Sequence, residues 1–233
     1  MPIAILSDIH SNLEALQEAM IYIEHAGVDE VVCLGDIVGY GPDPNECVDI
    51  IKSACSRVVK GNHDAAACGQ LSLGCLNRPG RAAMEWTQET LTRENREYLA
   101  SLPLIEKNGG TTFVHASPLK PEEWTYIDSP YEAAPTFEAF DTPVCTIGHT
   151  HVPGILSEDL ATLVLKEGLR CLINVGSVGQ PRDGNPRLSF GLLDVAKWKY
   201  ENIRIDYKIG DVAKRIVERR LPGILAERLY DGR

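Results

Sequence analysis

Five short segments hold most of the residues able to do polar chemistry: S-D-I-H (Ser7 to His10), G-D (Gly35-Asp36), G-N-H-D (Gly61 to Asp64), V-H-A (Val114 to Ala116) and G-H-T-H (Gly148 to His151). Five of the six histidines fall inside them. The sixth, His25, sits near the end of a predicted helix, where a solvated histidine is expected. Asp8 and His10 are two apart, as are His149 and His151. On an extended strand end that spacing puts both side chains on one side, so each pair can approach a common centre. Imidazole nitrogens with carboxylate and amide oxygens, and no sulfur, form a borderline-hard donor set. It suits Mn²⁺, Fe or Zn²⁺ better than Ca²⁺ or copper(I). The donors Asp8, His10, Asp36, Asn62, His115, His149 and His151 exceed what one four- to six-coordinate ion can use. Two divalent ions sharing a bridging carboxylate are therefore expected, Mn²⁺ first, with Fe, Zn²⁺ or Ni²⁺ as alternatives. Each segment alone is unremarkable, since a D-x-H is commonly a cap or turn. Their combination is what points to a metal site.

The elements that must position these residues read as strand, loop and helix in repetition. Ile3 to Leu6 is a short apolar run ending at Ser7-Asp8. Leu13, Leu16, Met20 and Ile23 recur at helical spacing, with Ser11 or Asn12 as N-cap and Gly27 as stop. Val31 to Leu34 forms a second strand ending at Gly35-Asp36, and Pro44 opens the next helix. Val58-Val59 is a third strand, ending at Gly61-Asn62. Arg81 to Ala100 reads as one or two helices, either core or a lid. Thr112 to Val114 and Val144 to Ile147 are strands ending at His115 and at Gly148-His149. Residues 118–143 form an excursion with a short helix. Later strands are expected at Leu163 to Leu165, Cys171 to Val175, Phe190 to Val195 and Ile203 to Tyr207, before a helix over Asp211 to Arg220 with a solvated basic face. Nearly every polar candidate lies just past the C-terminal end of a predicted strand, the edge where open α/β sheets bind ligands. Glycines before Asp36, Asn62 and His149 are expected to let the backbone turn tightly there. Alternation in the first half and extra strands in the second suggest two sheets packed face to face with helices outside. One α/β domain is expected over 1–233.

Bulk properties narrow the partners. Lys plus Arg total 23 and Asp plus Glu 33, for a net charge of −10. An acidic chain without a basic run lacks the surface that long nucleic acids need, whereas a small phosphorylated substrate is compatible once cations reverse the local field. No apolar stretch reaches the roughly 18 residues of a membrane span, and the opening MPIAILSD reads as a strand rather than a signal peptide. Seven scattered cysteines without a CxxC pair argue against a disulfide framework and for a cytoplasmic protein.

The five segments, in this order, resemble the calcineurin-like metallophosphoesterase family, whose pattern is D-x-H, G-D, G-N-H-[DE], H and G-H-x-H. The resemblance runs from Asp8 to about Ser189 and implies a four-layer αββα sandwich with two mixed sheets. It also implies that Asp8, His10, Asp36 and His151 hold one ion and that Asp36, Asn62, His115 and His149 hold the other. His63 would then be a proton donor or transition-state stabiliser, with Asp64 fixing its tautomer and raising its basicity. The implied activity is phosphoester hydrolysis by a hydroxide held between the two ions, on a small phosphodiester, phosphomonoester, nucleotide or dinucleoside polyphosphate. Residues Asn174 to Pro186 resemble the N-P-G-S loop of small bacterial members, with Val175 in place of the proline. There Arg182 and Arg187 are candidates to grip a phosphate. Gly39 to Cys47 resembles the same branch and offers Tyr40 to stack on a base. Trp86 and Trp124 either line a pocket or pack. Competing readings are a serine/threonine protein phosphatase on the same core, which would want more arginines near the metal segments, and an inactive metal-bound scaffold, against which His63, Asp64 and all seven donors stand.

Overall fold

A computed structural model describes residues 2–233. The first half builds β1 (Ile3–Leu6), α1 (Leu13–Ala26), β2 (Glu30–Cys33), α2 (Pro44–Ala54), β3 (Arg57–Val58), α3 (Asn62–Ala67), α4 (Arg78–Thr90) and α5 (Arg93–Ser101). The second half adds β4 (Ile105–Asn108), β5 (Thr111–Val114), α6 (Pro130–Ala133), β6 (Val144–Ile147), β7 (Gly154–Ser157), β8 (Cys171–Asn174), β9 (Leu188–Asp194), β10 (Lys199–Ile205), α7 (Ile209–Glu218) and α8 (Ile224–Asp231). The strands form two five-stranded sheets, in the orders β10-β9-β1-β2-β3 and β4-β5-β6-β8-β7. Each sheet contains a parallel trio: β1-β2-β3 runs out to one edge of the first sheet, with antiparallel β9 and β10 on its other side, and β5-β6-β8 is flanked on both sides by antiparallel β4 and β7.

The period-two alternation of β1 explains the layering. Ile3 and Ile5 meet Val32, Leu34, Phe113, Val144 and Ile173 in a core between the two sheets. Ala4 and Leu6 face the other way, into a core with Leu16, Ile23, Val48, Ile51 and Leu99 of the helices. Val114, Cys145, Ile147 and Leu172 cover the far face of the second sheet, packing on Ala133, Phe137 and Phe140. The result is the two mixed sheets with helices outside that the resemblance implies. Phe113 is fully buried at the centre, and truncating such a residue to alanine costs about 3–5 kcal/mol.

Most helix signals hold. Asn12 caps α1, its Oδ1 accepting the Ala15 amide at 3.2 Å, and Gly27 closes it at φ 62°. Arg81 to Ala100 becomes two helices whose Met84, Leu91 and Leu99 are buried in the core, so this segment is packing and not a lid. Other expectations fail. Leu163 to Leu165 is not a strand; Leu163 and Val164 are exposed and make no ladder. The sheet is continued instead by β7, whose GILS sequence is too short and too weakly alternating to identify. Arg215 does not lie on a solvated face. It pairs with Glu14 and with Asp43, whose Oδ2 is 2.7 Å from Nη2, and so ties α7 to the first layer. Helix α8 packs with α7 against Tyr40, Ala83 and Trp86.

Candidate metal centre

The loops that follow β1, β2, β3, β5 and β6 all end at one edge of the paired sheets, and there they bring the polar segments together. Extended geometry does not do it. Asp8, His10, Asp36, His149 and His151 have φ of 53°, 49°, 51°, 65° and 62°. Left-handed backbone at a non-glycine residue costs about 1–3 kcal/mol and concentrates where a site over-determines it. The side chains therefore converge through tight left-handed bends, not through the pleat of a strand end.

The glycines also act differently from expectation. Gly35 does bend, at φ 92°, but Gly61 and Gly148 have no left-handed conformation. Their role is space: a Cβ at Gly61 would fall on the Asp36 carboxylate, and one at Gly148 on Ser7 and Asp8. In the G-N-H-D segment Gly61 is the N-cap of α3, and Asn62 and His63 are its first residues.

Three sets of side chains each bring their donor atoms within 4.8 Å of one another: Asp8, His10 and His151; Asp36, His115 and His149; and His10, Asp36 and His63. Asp36 Oδ2 lies between two sets, 3.7 Å from His10 Nε2 and 3.4 Å from His115 Nε2. Asn62 joins the second, its Oδ1 3.2 Å from His115 Nε2. All except Asn62 are buried, and Asp8 Oδ1 is buried without a hydrogen-bond partner.

Hydrogen bonds on the far side of each ring decide what the near side offers. His10 Nδ1 faces the Val38 carbonyl at 3.2 Å, His115 Nδ1 that of Leu34 at 2.9 Å, His151 Nδ1 that of Gln180 at 2.5 Å, and His149 Nε2 that of Trp124 at 3.0 Å. A carbonyl only accepts, so each of these nitrogens carries the proton and the opposite one presents a lone pair. Yet the opposite nitrogens meet: His10 Nε2 is 3.2 Å from His151 Nε2, and His115 Nε2 is 3.2 Å from His149 Nδ1. Between His10 and His151, both held neutral, two lone pairs at that distance repel. A cation between them turns the arrangement into coordination, so the donor set fits divalent metal.

The titration of His10, His149 and His151 agrees, while His115 holds a proton where a cation would otherwise lie. Burial pushes His10 and His151 down, assisted by the charges of His63 and Arg182 respectively. Burial and His115 push His149 down to about 3. Burial acts downward on His115 as well, but Asp36 overrides it and raises it to about 9. Burial acts upward on Asp8 and Asp36, and facing histidines still hold both below the usual carboxylate range.

Residues 1–197 match the family described as the calcineurin-like phosphoesterase superfamily domain. The chain belongs to that superfamily. Similar members include a metallophosphoesterase from Sphaerobacter thermophilus, 41% identical over 100% of this chain and 99% of that one, with a TM-score of 0.89. A protein of Methanocaldococcus jannaschii, MJ0912, is 42% identical over 99% of this chain and 98% of its own length. The Escherichia coli phosphodiesterase YfcE is 25% identical over 83% of this chain and 88% of its own length. This calcineurin-like chain thus has a phosphodiesterase among its relatives and a buried cluster fit for divalent metal. Among the described residues, no helix is long and apolar enough to cross a membrane.

The remaining predicted site residues divide. His63 lies at the cluster, its ring centroid 4.8 Å from that of His10 and 4.5 Å from that of Tyr40. Asp64 does not touch it. Asp64 Oδ1 accepts the amides of Ile37 and Val38 at 2.9 and 3.3 Å, and Oδ2 those of Asp36 and Gly61 at 2.8 and 3.0 Å. His63 Nδ1 has no partner, and burial, then Arg182, lowers its pKa to about 4. The expected increase in basicity is therefore absent, because the carboxylate that would supply it is spent on backbone. Tyr40 is buried against His10, His63 and α7, so its ring is not free to stack on a base. Arg182 stands at the centre, its guanidinium 5.9 Å from the Tyr40 ring. Arg187 is exposed and bonds Asn185 in its own turn. Two aromatic residues matter beyond expectation. Trp124 holds His149 through its carbonyl, and the Tyr126 ring lies 4.0 Å from that of His149 at 30°. A backbone acceptor leaves no trace in side-chain identity. Tyr126 lies in a segment whose path local pattern does not define.

Proposed function

We propose that this chain is a dinuclear metal-dependent phosphodiesterase acting on a small substrate. The observation that carries it is the position of Asp36 between two sets of donors, which supports a carboxylate shared by two cations. Asp8, His10, Asp36 and His151 would hold one, and Asp36, Asn62, His115 and His149 the other. When bound, a divalent pair supplies Lewis-acid charge to the phosphoryl oxygens and makes water acidic enough to ionise near neutral pH. The chain's own residues do the rest. The left-handed loops and the far-side carbonyls fix the donors before metal arrives, so little reorganisation is needed. Arg182 offers a guanidinium fork to a non-bridging phosphate oxygen. His63, neutral near pH 7 as its lowered pKa requires, donates one N–H to an oxygen of the reacting phosphate and stabilises charge there. The test is turnover of bis-p-nitrophenyl phosphate against the monoester after chelation, with Mn²⁺, Fe²⁺, Zn²⁺ or Ni²⁺ restored singly and metal counted per chain. Two metals per chain and diester turnover are expected. One metal at saturation, or no turnover of the diester with any of the four, would overturn the proposal.

A further inference from the structure

The helical layer over the second sheet is thin. It consists of α6, four residues long, and a short turn after it. Part of the outer face of β6, β8 and β7 therefore remains uncovered and forms a cavity of about 580 Å³, within the range of small-molecule sites. Its floor is Ala133, Ile147, Leu156 and Leu172, of which all but Leu156 are buried. Val152 and Leu163, 44% and 67% exposed, stand at its mouth.

No candidate metal ligand lines this cavity, but two residues join it to the metal centre. Tyr126 forms part of its wall and packs its ring, tilted, against that of His149, and Thr150 lies between His149 and His151 in the chain. The polar groups inside are already engaged. Asn174 Nδ2 donates to the Gly148 carbonyl at 2.7 Å and to Thr150 Oγ1 at 2.9 Å, while its Oδ1 accepts the Gly176 amide. Ser129 donates to Glu132 at 2.9 Å. Little is left to read the edge of a nucleobase. Asp128 on the rim, beside Glu132, opposes a second phosphate.

We propose that this cavity binds an uncharged, apolar alcohol moiety of the phosphoester, its phosphate lying at the metal centre across Tyr126. This rests on the phosphodiesterase reading and names its substrate class. Burying each added methylene should strengthen binding about fourfold.

The test titrates methyl-, butyl- and hexylphosphonate and adenosine monophosphate into the Mn²⁺-loaded protein by calorimetry, alongside turnover of bis-p-nitrophenyl phosphate. Affinity rising steadily from methyl to hexyl, with hexylphosphonate above adenosine monophosphate, is the expected result. Leu163→Asp and Val152→Asp, both at exposed positions, should weaken hexylphosphonate tenfold or more and leave methylphosphonate within twofold. Affinity independent of chain length, tighter adenosine monophosphate, or equal weakening of both phosphonates by the variants overturns the cavity assignment even if the diester is hydrolysed. Absent diester turnover with chain-length dependence intact would instead sink the phosphodiesterase reading and keep the cavity.

Discussion

The Asp64 carboxylate accepts the Asp36 backbone amide at 2.8 Å, and through three further amides it clamps the loop after β2 to the start of α3. Burial and the charge of Asp36 push Asp64 up to about 7 even against those donors. Removing it leaves buried amides unpaired at about 1–3 kcal/mol each. Asp64→Ala should therefore lower stability by several kcal/mol and release metal, whereas a residue that merely oriented His63 would change turnover alone. Thermal melts and metal counts of the variant separate the two; an unaltered Tm and full metal content would refute the clamp.

Asp36→Ala should abolish binding of both cations, because both sets of donors depend on its carboxylate. His149→Ala should weaken one set preferentially. Metal stoichiometry after dialysis reads this directly, and loss of just one ion from Asp36→Ala would show that it does not bridge.

His63→Ala should retain metal and lose about 10²–10⁴-fold in kcat, the range attached to one positioned donor. Geometry alone also groups His63 with His10 and Asp36, so metal analysis is the deciding measurement. If the variant loses an ion, His63 is a ligand.

The metal-free protein should be less stable at pH 5 than at pH 7. His63 falls from 6.5 to about 4 and His149 from 6.5 to about 3, with His10 and His151 also lowered. A histidine with a depressed folded pKa contributes stability above 6.5 that is lost as pH falls toward the folded value. Asp64, raised to about 7, works in the opposite direction over that range, and His115, raised to about 9, loses its contribution above pH 6.5. Four histidines against Asp64, and against His115 only above pH 6.5, fix the sign. Melts of chelated protein from pH 7 to 4.5 check it, and saturating Mn²⁺ at pH 7 should raise Tm.

What the sequence determined was local: the runs that become β1, β2, β5, β6 and β8, the caps of α1, and the polar segments following those strands. These follow from alternation, capping and residue type, which short windows carry. The convergence of Asp8, His10, Asp36, Asn62, His115, His149 and His151 was legible because donor chemistry and strand-end placement are both written in single residues. The tertiary structure alone decided how they converge. Left-handed φ at Asp8, His10, Asp36, His149 and His151 is imposed by loops packed against one another; Asp and His tolerate that conformation better than most residues, but neither type requires it. It also decided that Asp64 serves the backbone and not His63, that Tyr40 is buried while Tyr126 faces the centre, and that Arg215 is an internal tie. Each depends on contacts between segments far apart in the chain, and a local pattern holds no record of them.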